Sequence, residues 1–343
     1  MRHNLSLVTN PRQGTLPGRP AARPHRQLNH MVSQRESQLA SAVLMVRPAR
    51  FQSNPQTAES NRFQGRLAAS PAEQQTAAVA EFEALKSVLD RAGIRVAAFD
   101  DTPEPHTPDA IFPNNWVSFH ADGTAVLYPM EAANRRGERR RDIVEALAED
   151  HGFLLRRIVD LSHHETNGHF LEGTGSMVLD RVNRIAYAGL SSRTHLDPLG
   201  DFAQRLDYEL LAFDAVDHNG APIYHTNVLM NIGEKLAVIC AEAIPRADQR
   251  QAVMENLAKT GHDVLPLSFE QLQQFAGNML ELKTSDGRRV TAMSETARQS
   301  LHEAQRAKLE ENGDIVSAPI DTIERSSGGS VRCMLAEIHL PEA

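Results

Sequence analysis

The sequence predicts an α/β fold in which one strand–strand–helix–strand unit is repeated five times and the repeats close into a ring. Two observations predict it. Four segments share one plan, an apolar strand, a turn with Gly or Asn/Asp and a second apolar strand, and the plan recurs about every 50 to 60 residues; repeats of that period bury their apolar faces only against their neighbours. The parts of a fifth unit are split between the two ends of the chain, so a ring would join them.

Residues 1–40 carry six arginines against Glu36 alone, are rich in Pro, Gly and Gln, and show no apolar periodicity. They read as a disordered extension, and Met31 offers an alternative translation start. The body, residues 41–343, reads as a single domain. It opens with Ala42-Val-Leu-Met-Val-Arg-Pro48, an apolar run of strand length stopped by proline. The four hairpins follow at residues 111–128, 175–188, 225–240 and 277–293. Helices are expected over 137–150, 198–211 and 246–260, with β-like stretches at 153–159, 209–213 and 263–266. The run 42–48, a helix over 72–92, a strand at 94–99 and a terminal strand within 331–340 would complete the fifth unit.

Composition narrows the function. Two cysteines in 343 residues do not make a disulfide framework, so a reducing, cytoplasmic setting and a free thiol at Cys333 are expected. Beyond residue 40 there are 30 basic against 43 acidic residues, which argues against nucleic acid as the main partner. No apolar run approaches the roughly 20 residues that cross a bilayer, so no membrane association is expected. Nothing in the sequence fixes an oligomeric state, and a homo-oligomer is compatible with it.

Cys333 ends the stretch Ser326-Ser-Gly-Gly-Ser-Val-Arg-Cys. A reactive thiol needs an approachable position and nearby N–H or cationic groups, and this loop offers both; the alternative is a buried cysteine starting an apolar strand at Met334. If equivalent hairpin starts face one centre, Asp109, Asn114, Asn115, Glu172, His225, Asn227 and Cys333 meet there. A Cys, a His and a carboxylate are the parts of thiol-based covalent catalysis. Singly, each has a structural reading: His225 as a hydrogen-bonding turn residue, Glu172 as a solvated acid, the asparagines as turn formers.

Three other signals are set aside. His163-His-Glu-Thr-Asn-Gly-His169 fails the zincin spacing, so no metal is expected. Gly173-Thr-Gly175 lacks the third glycine of a dinucleotide loop, so no cofactor is expected. Asn134-Arg-Arg-Gly-Glu-Arg-Arg-Arg141 reads as a solvated helix start, or as a rim for acidic substrates.

Phe112-Pro-Asn-Asn115, Phe170-Leu-Glu-Gly-Thr-Gly175, Gly189-Leu-Ser-Ser-Arg-Thr194, His225-Thr-Asn227 and Gly328-Gly-Ser-Val-Arg-Cys333, with the repeats, resemble the guanidino-group-modifying superfamily. That resemblance implies the pentein fold, a five-fold pseudosymmetric α/β-propeller of ββαβ modules. The opening Val43-Leu-Met-Val-Arg-Pro-Ala-Arg-Phe51 is most similar to its citrulline-utilisation hydrolase branch. It implies Cys333 as nucleophile, His225 as general acid/base, Glu172 orienting the reacting group, Arg193 holding the substrate carboxylate and Asp109 meeting its amino end. Deiminases of the superfamily commonly carry aspartates where this chain has Asn115 and Asn227, and those aspartates pair with a cationic guanidinium. Neutral amides suit a neutral ureido group instead. The expectation is therefore a cofactor-free cysteine hydrolase of citrulline, yielding ornithine, carbon dioxide and ammonia. The alternatives are an arginine deiminase or dihydrolase, and a catalytically silent member that binds amino acids.

Overall fold

The computed structural model describes residues 36–65 and 67–343. Among the described residues, fifteen strands form five three-stranded sheets. In chain order they are β1 (Ala42–Arg47), β2 (Arg95–Asp100), β3 (Val117–Phe119), β4 (Thr124–Leu127), β5 (Arg157–Asp160), β6 (Val178–Asp180), β7 (Ile185–Leu190), β8 (Glu209–Asp214), β9 (Met230–Ile232), β10 (Leu236–Ile239), β11 (Asp263–Pro266), β12 (Leu280–Lys283), β13 (Arg289–Ser294), β14 (Asp314–Ala318) and β15 (Ala336–Ile338).

Each sheet repeats one topology. A short strand pairs antiparallel with a second, which pairs parallel with a third after a helical crossover, as in β3–β4–β5 and β6–β7–β8. The parallel pair requires a crossover of a dozen or more residues, and the helices Arg141–Glu149, Leu196–Leu206 and Ala247–Lys259 supply it. Burial is graded outward: β4 is buried throughout, whereas β5 is buried only at Val159. First strands of adjacent modules touch, β15 with β3, β6 with β9 and β9 with β12. They therefore surround the axis.

The chain ends close the ring. β15 pairs antiparallel with β1 in the register Ala42↔Ile338, Val43↔Glu337 and Leu44↔Ala336, and β1 pairs parallel with β2. The fivefold repeat of ββαβ modules, the pentein propeller, is the fold observed.

Several boundaries differ from the sequence expectation. Residues 36–40, assigned to the disordered extension, are packed: Gln38 donates to the carbonyls of Leu179 and Ile232 at 3.0 Å each, and Glu36 pairs with Arg181 at 2.7 Å. Residues 1–35, with Met31, lie outside the described residues. The helix expected at 137–150 starts at Arg141, because Ala133–Glu138 forms a 3-10 turn. The helix expected over 198–211 ends at Leu206, where Asp207 turns left-handed at φ 58°. The terminal strand is short, since Val331–Met334 winds into a 3-10 turn before β15.

Similar turns precede three of the other four first strands: Pro113–Asn115, Gly173–Ser176 and Thr226–Leu229. They pack against one another. Gly173 has φ +48°, and a Cβ there would collide with the Asn114 carbonyl oxygen; only glycine combines that backbone with that approach. Gly173→Ala should lower the unfolding free energy by about 3 kcal/mol, read from denaturant midpoints. A loss under about 1 kcal/mol would refute the close packing of these turns.

Candidate active site

The turns deliver the polar residues to one place. Cys333 lies on the Val331–Met334 turn and is 3% exposed. Its Sγ faces two carboxamides, with Asn278 Nδ2 at 3.3 Å and Asn227 Nδ2 at 3.6 Å. Asn278 Nδ2 also donates to the Asn227 carbonyl at 2.9 Å, which fixes its orientation. Amide N–H groups aimed this way can stabilise negative charge that forms beside the sulfur.

His225 precedes the turn Thr226–Leu229, and its Nε2 stands 2.9 Å from Glu172 Oε2. The Tyr224 ring lies 4.5 Å from the imidazole, and the Tyr224 hydroxyl donates to the Gly328 carbonyl at 2.6 Å. Gly175 makes room for this ring: a Cβ there would come within 2.7 Å of His225 Nδ1 and 2.5 Å of Asn115 Nδ2. Burial pushes the His225 pKa down to about 4, against the pull of Glu172, so the imidazole is neutral at pH 7 and free to accept a proton.

Glu172 is fully buried. Its Oε2 is shared by His225, Arg193 Nη1 at 3.4 Å and Arg135 Nη1 at 3.5 Å, while Oε1 accepts the Glu131 N–H at 3.1 Å. Burial opposes its ionisation, but Arg193, His225 and Arg135 together hold the carboxyl far below the usual range.

Arg193 lies with its guanidinium 4.8 Å over the Tyr224 ring. It donates to Ser60 Oγ at 2.8 Å and pairs with Glu131 at 3.2 Å. Asp109 accepts from Asn54 Nδ2 at 2.7 Å and lies 3.6 Å from Arg135, and burial raises its pKa despite both. The structure thus brings the expected residues together: Cys333, Asp109, Asn115, Arg193 and His225 line one narrow pocket, with Glu172 directly behind His225 and Asn227 against the sulfur, while Asn114 Oδ1 accepts from Asn115 Nδ2 at 3.0 Å beside it.

Two residues escaped the sequence reading. Asn278 starts the fourth hairpin, and equivalence of hairpin starts was the signal for it. Arg135 had no such signal. The cluster that contains it reads as solvated, yet Arg135 is 2% exposed. Its guanidinium grips Glu138 at 2.9 and 3.0 Å and places both terminal nitrogens 3.1 Å from Asn115 Oδ1. The Gly328 N–H bonds to the Glu324 carbonyl at 2.8 Å and caps the helix Asp321–Ser327.

A family model for eukaryotic N,N-dimethylarginine dimethylhydrolase matches residues 47–340. The chain belongs to this family. The N-terminal domain of ArgZ, an arginine dihydrolase from the ornithine–ammonia cycle in cyanobacteria, has the same fold. It matches with a TM-score of 0.66 and 19% identity over 88% of this chain and 98% of that domain. In whole ArgZ the matched part is 41% of that chain. A dimethylarginine dimethylaminohydrolase adduct with S-methyl-L-thiocitrulline matches with a TM-score of 0.57 and 12% identity over 87% of this chain and 99% of that one. No curated protein matches the chain.

Two outcomes are expected from these charges. Because the folded pKa of His225 is lowered, its contribution to stability is complete above its ordinary value of 6.5 and is lost as pH falls through about 4. Glu172, also lowered, acts in the same sense below its ordinary 4.5. Unfolding free energy should therefore drop between pH 7 and pH 4.5, with His225 accounting for about 2–3 kcal/mol, and the drop should narrow in His225→Gln; a flat profile would contradict it. Arg135→Met should cost about 3–5 kcal/mol by stranding buried carboxylates, and adding Glu138→Met should recover part of that loss in the same unfolding measurement.

Proposed function

We propose that this protein is a cysteine-dependent hydrolase of the C–N bonds of a ureido amino acid, with citrulline as the preferred substrate. The observation that carries the reading is the neutral wall at the sulfur. Asn227 and Asn278 present carboxamides to Cys333, and Asn115 is already bound to the Arg135 guanidinium. A ureido group, with one carbonyl acceptor and N–H donors, matches carboxamides.

In this reading the Cys333 thiol gives its proton to His225 and its sulfur adds to the ureido carbon, while the amide donors take up the charge on the oxygen. His225 returns the proton to the departing nitrogen and ammonia leaves, giving a thiocarbamate that links Sγ to the δ-nitrogen of ornithine. Water then adds, giving its proton to His225. The C–S bond breaks, the thiol recovers its proton, and the N-carboxy-ornithine loses carbon dioxide. The balance is citrulline plus water to ornithine, carbon dioxide and ammonia. Arg193 would hold the substrate carboxylate and Asp109 its amino end.

A second reading, hydrolysis of an arginine-type guanidino group, is favoured by the family to which the chain belongs and by the likeness to an arginine dihydrolase. Incubation with citrulline, arginine and dimethylarginine, followed by ammonia and ornithine analysis, separates the two. Citrulline should show the highest kcat/KM, and Cys333→Ala should abolish turnover of every substrate. Asn227→Asp should raise the arginine-to-citrulline ratio of kcat/KM by roughly tenfold or more, the worth of one charge-assisted hydrogen bond. A wild-type preference for arginine would overturn the neutral-substrate reading, and silence with every substrate would favour a binding protein.

A further inference from the structure

The outer edge of the third module carries a histidine cluster that the reaction does not use. His163 and His164 lie on the 3-10 turn Ser162–Asn167, and Asp201 lies on the helix Leu196–Leu206. The Nε2 atoms of both histidines approach the same oxygen, Asp201 Oδ2, at 3.6 and 3.2 Å. The three ligand atoms all lie within 4.8 Å of one another. A tetrahedral zinc ion with bonds of about 2.0–2.2 Å has ligand-to-ligand edges of about 3.3–3.6 Å, and the two observed separations lie at the ends of that range.

Asp201 is oriented from its far side. Arg205 Nε donates to Oδ1 at 2.5 Å and its Nη2 reaches Oδ2 at 3.4 Å beside the histidines, which is the outer support that ligating carboxylates have. His163 has 57% of its side chain exposed, so a fourth position opens to water. Two imidazoles and one carboxylate suit zinc better than magnesium or calcium, which take oxygen ligands. The neighbouring trio His169, His195 and Asp197 is a poorer set, because His195 Nδ1 already accepts the Asp197 N–H at 3.1 Å.

We infer that His163, His164 and Asp201 bind a divalent transition metal of the zinc type. The zincin reading fails for a separate reason: Glu165 is held by Arg139 at 2.5 Å and by the Met130 N–H at 2.8 Å. The ligands come instead from two segments that sequence spacing does not join. Those segments run inward to the active site. Glu172 follows the histidines and Arg193 precedes the aspartate, the two strands of chain being tied by His195 N–H to the Phe170 carbonyl at 2.8 Å. A metal here would fasten the outer end of the pair of segments that carry Glu172 and Arg193.

The test uses the full chain as Cys333→Ser, so that the active-site thiol is not a ligand. After stripping with a chelator, zinc uptake is measured by equilibrium dialysis, cobalt by its tetrahedral absorption bands, and the melting temperature with and without zinc. About one equivalent should bind, with a rise in melting temperature. His163→Ala, at an exposed position, and Asp201→Asn should each lower affinity by roughly tenfold or more and abolish the cobalt bands, while His218→Ala should change neither. Uptake that persists unchanged in His163→Ala/His164→Ala, or no uptake at all, would overturn the inference. No readout depends on turnover, so failure here leaves the proposed reaction untouched.

Discussion

Everything at the axis presupposes the pairing of β1 with β15. The two strands come from opposite ends of the domain, and their antiparallel ladder from Ala42 to Leu44 converts an open array of modules into a ring. An open array of such modules would expose the edge of β1 and the apolar faces between modules. Closure also sets the reacting geometry, because Cys333 sits only three residues before β15. The sulfur is placed by the same contact that completes the fold.

A second constraint follows from having these turns share one axis. Their backbones approach where side chains are absent, as at Gly173 against Asn114 and Gly277 against Val228, and Gly175 leaves room for the His225 ring, so the Glu-Gly-Thr-Gly motif serves packing before chemistry. Charge behaves likewise. Toward the other end of the inner strands, Arg181 pairs with Glu36 at 2.7 Å and Glu337 at 3.7 Å, and Arg332 pairs with Glu337 at 2.5 Å. Buried ions need such partners because removing them from water costs several kcal/mol each. Burial of Glu36–Ala40 is explained by this network. The segment supplies the carboxylate that Arg181 needs.

The sequence disclosed the architecture because its repeats carry the hairpin plan in local residue types, and it disclosed Cys333, His225 and Glu172 because they stand at equivalent hairpin starts. It concealed Arg135 because a run of arginines beside Glu138 has the same local pattern on a solvated helix as in a buried site; only the third dimension sets Asp109, Asn115 and Glu172 around it. The histidine pair was visible, but its partner was not. Asp201 lies far along the chain, and no spacing rule joins it to His163 and His164. Residues 36–40 were misassigned because their composition is polar, and polar composition does not distinguish a solvated tail from a chain that satisfies buried charges.

Arg135 also reframes which substrate charge the pocket prefers. Among the fully buried groups, Asp109, Glu138 and Glu172 face Arg135 and Arg193, so with all five ionised they carry one negative charge in excess. In that state a cationic side chain would restore neutrality. Two carboxyls bear on the matter. Burial raises the pKa of Asp109 while Arg135 and Asn54 pull the other way, and burial raises that of Glu138 to about 8 against Arg135; a proton on either one balances the buried charges, and a neutral ureido group would then fit without residual charge. A guanidinium would then add an uncompensated cation beside two arginines, and at an effective dielectric near 20 a like-charge contact at 4 Å costs about 4 kcal/mol. In the proposed reading the amides at Asn115 and Asn227 would select a neutral group together with Arg135 and with a proton on Asp109 or Glu138, and the preference between ureido and guanidino groups would turn on those two carboxyls.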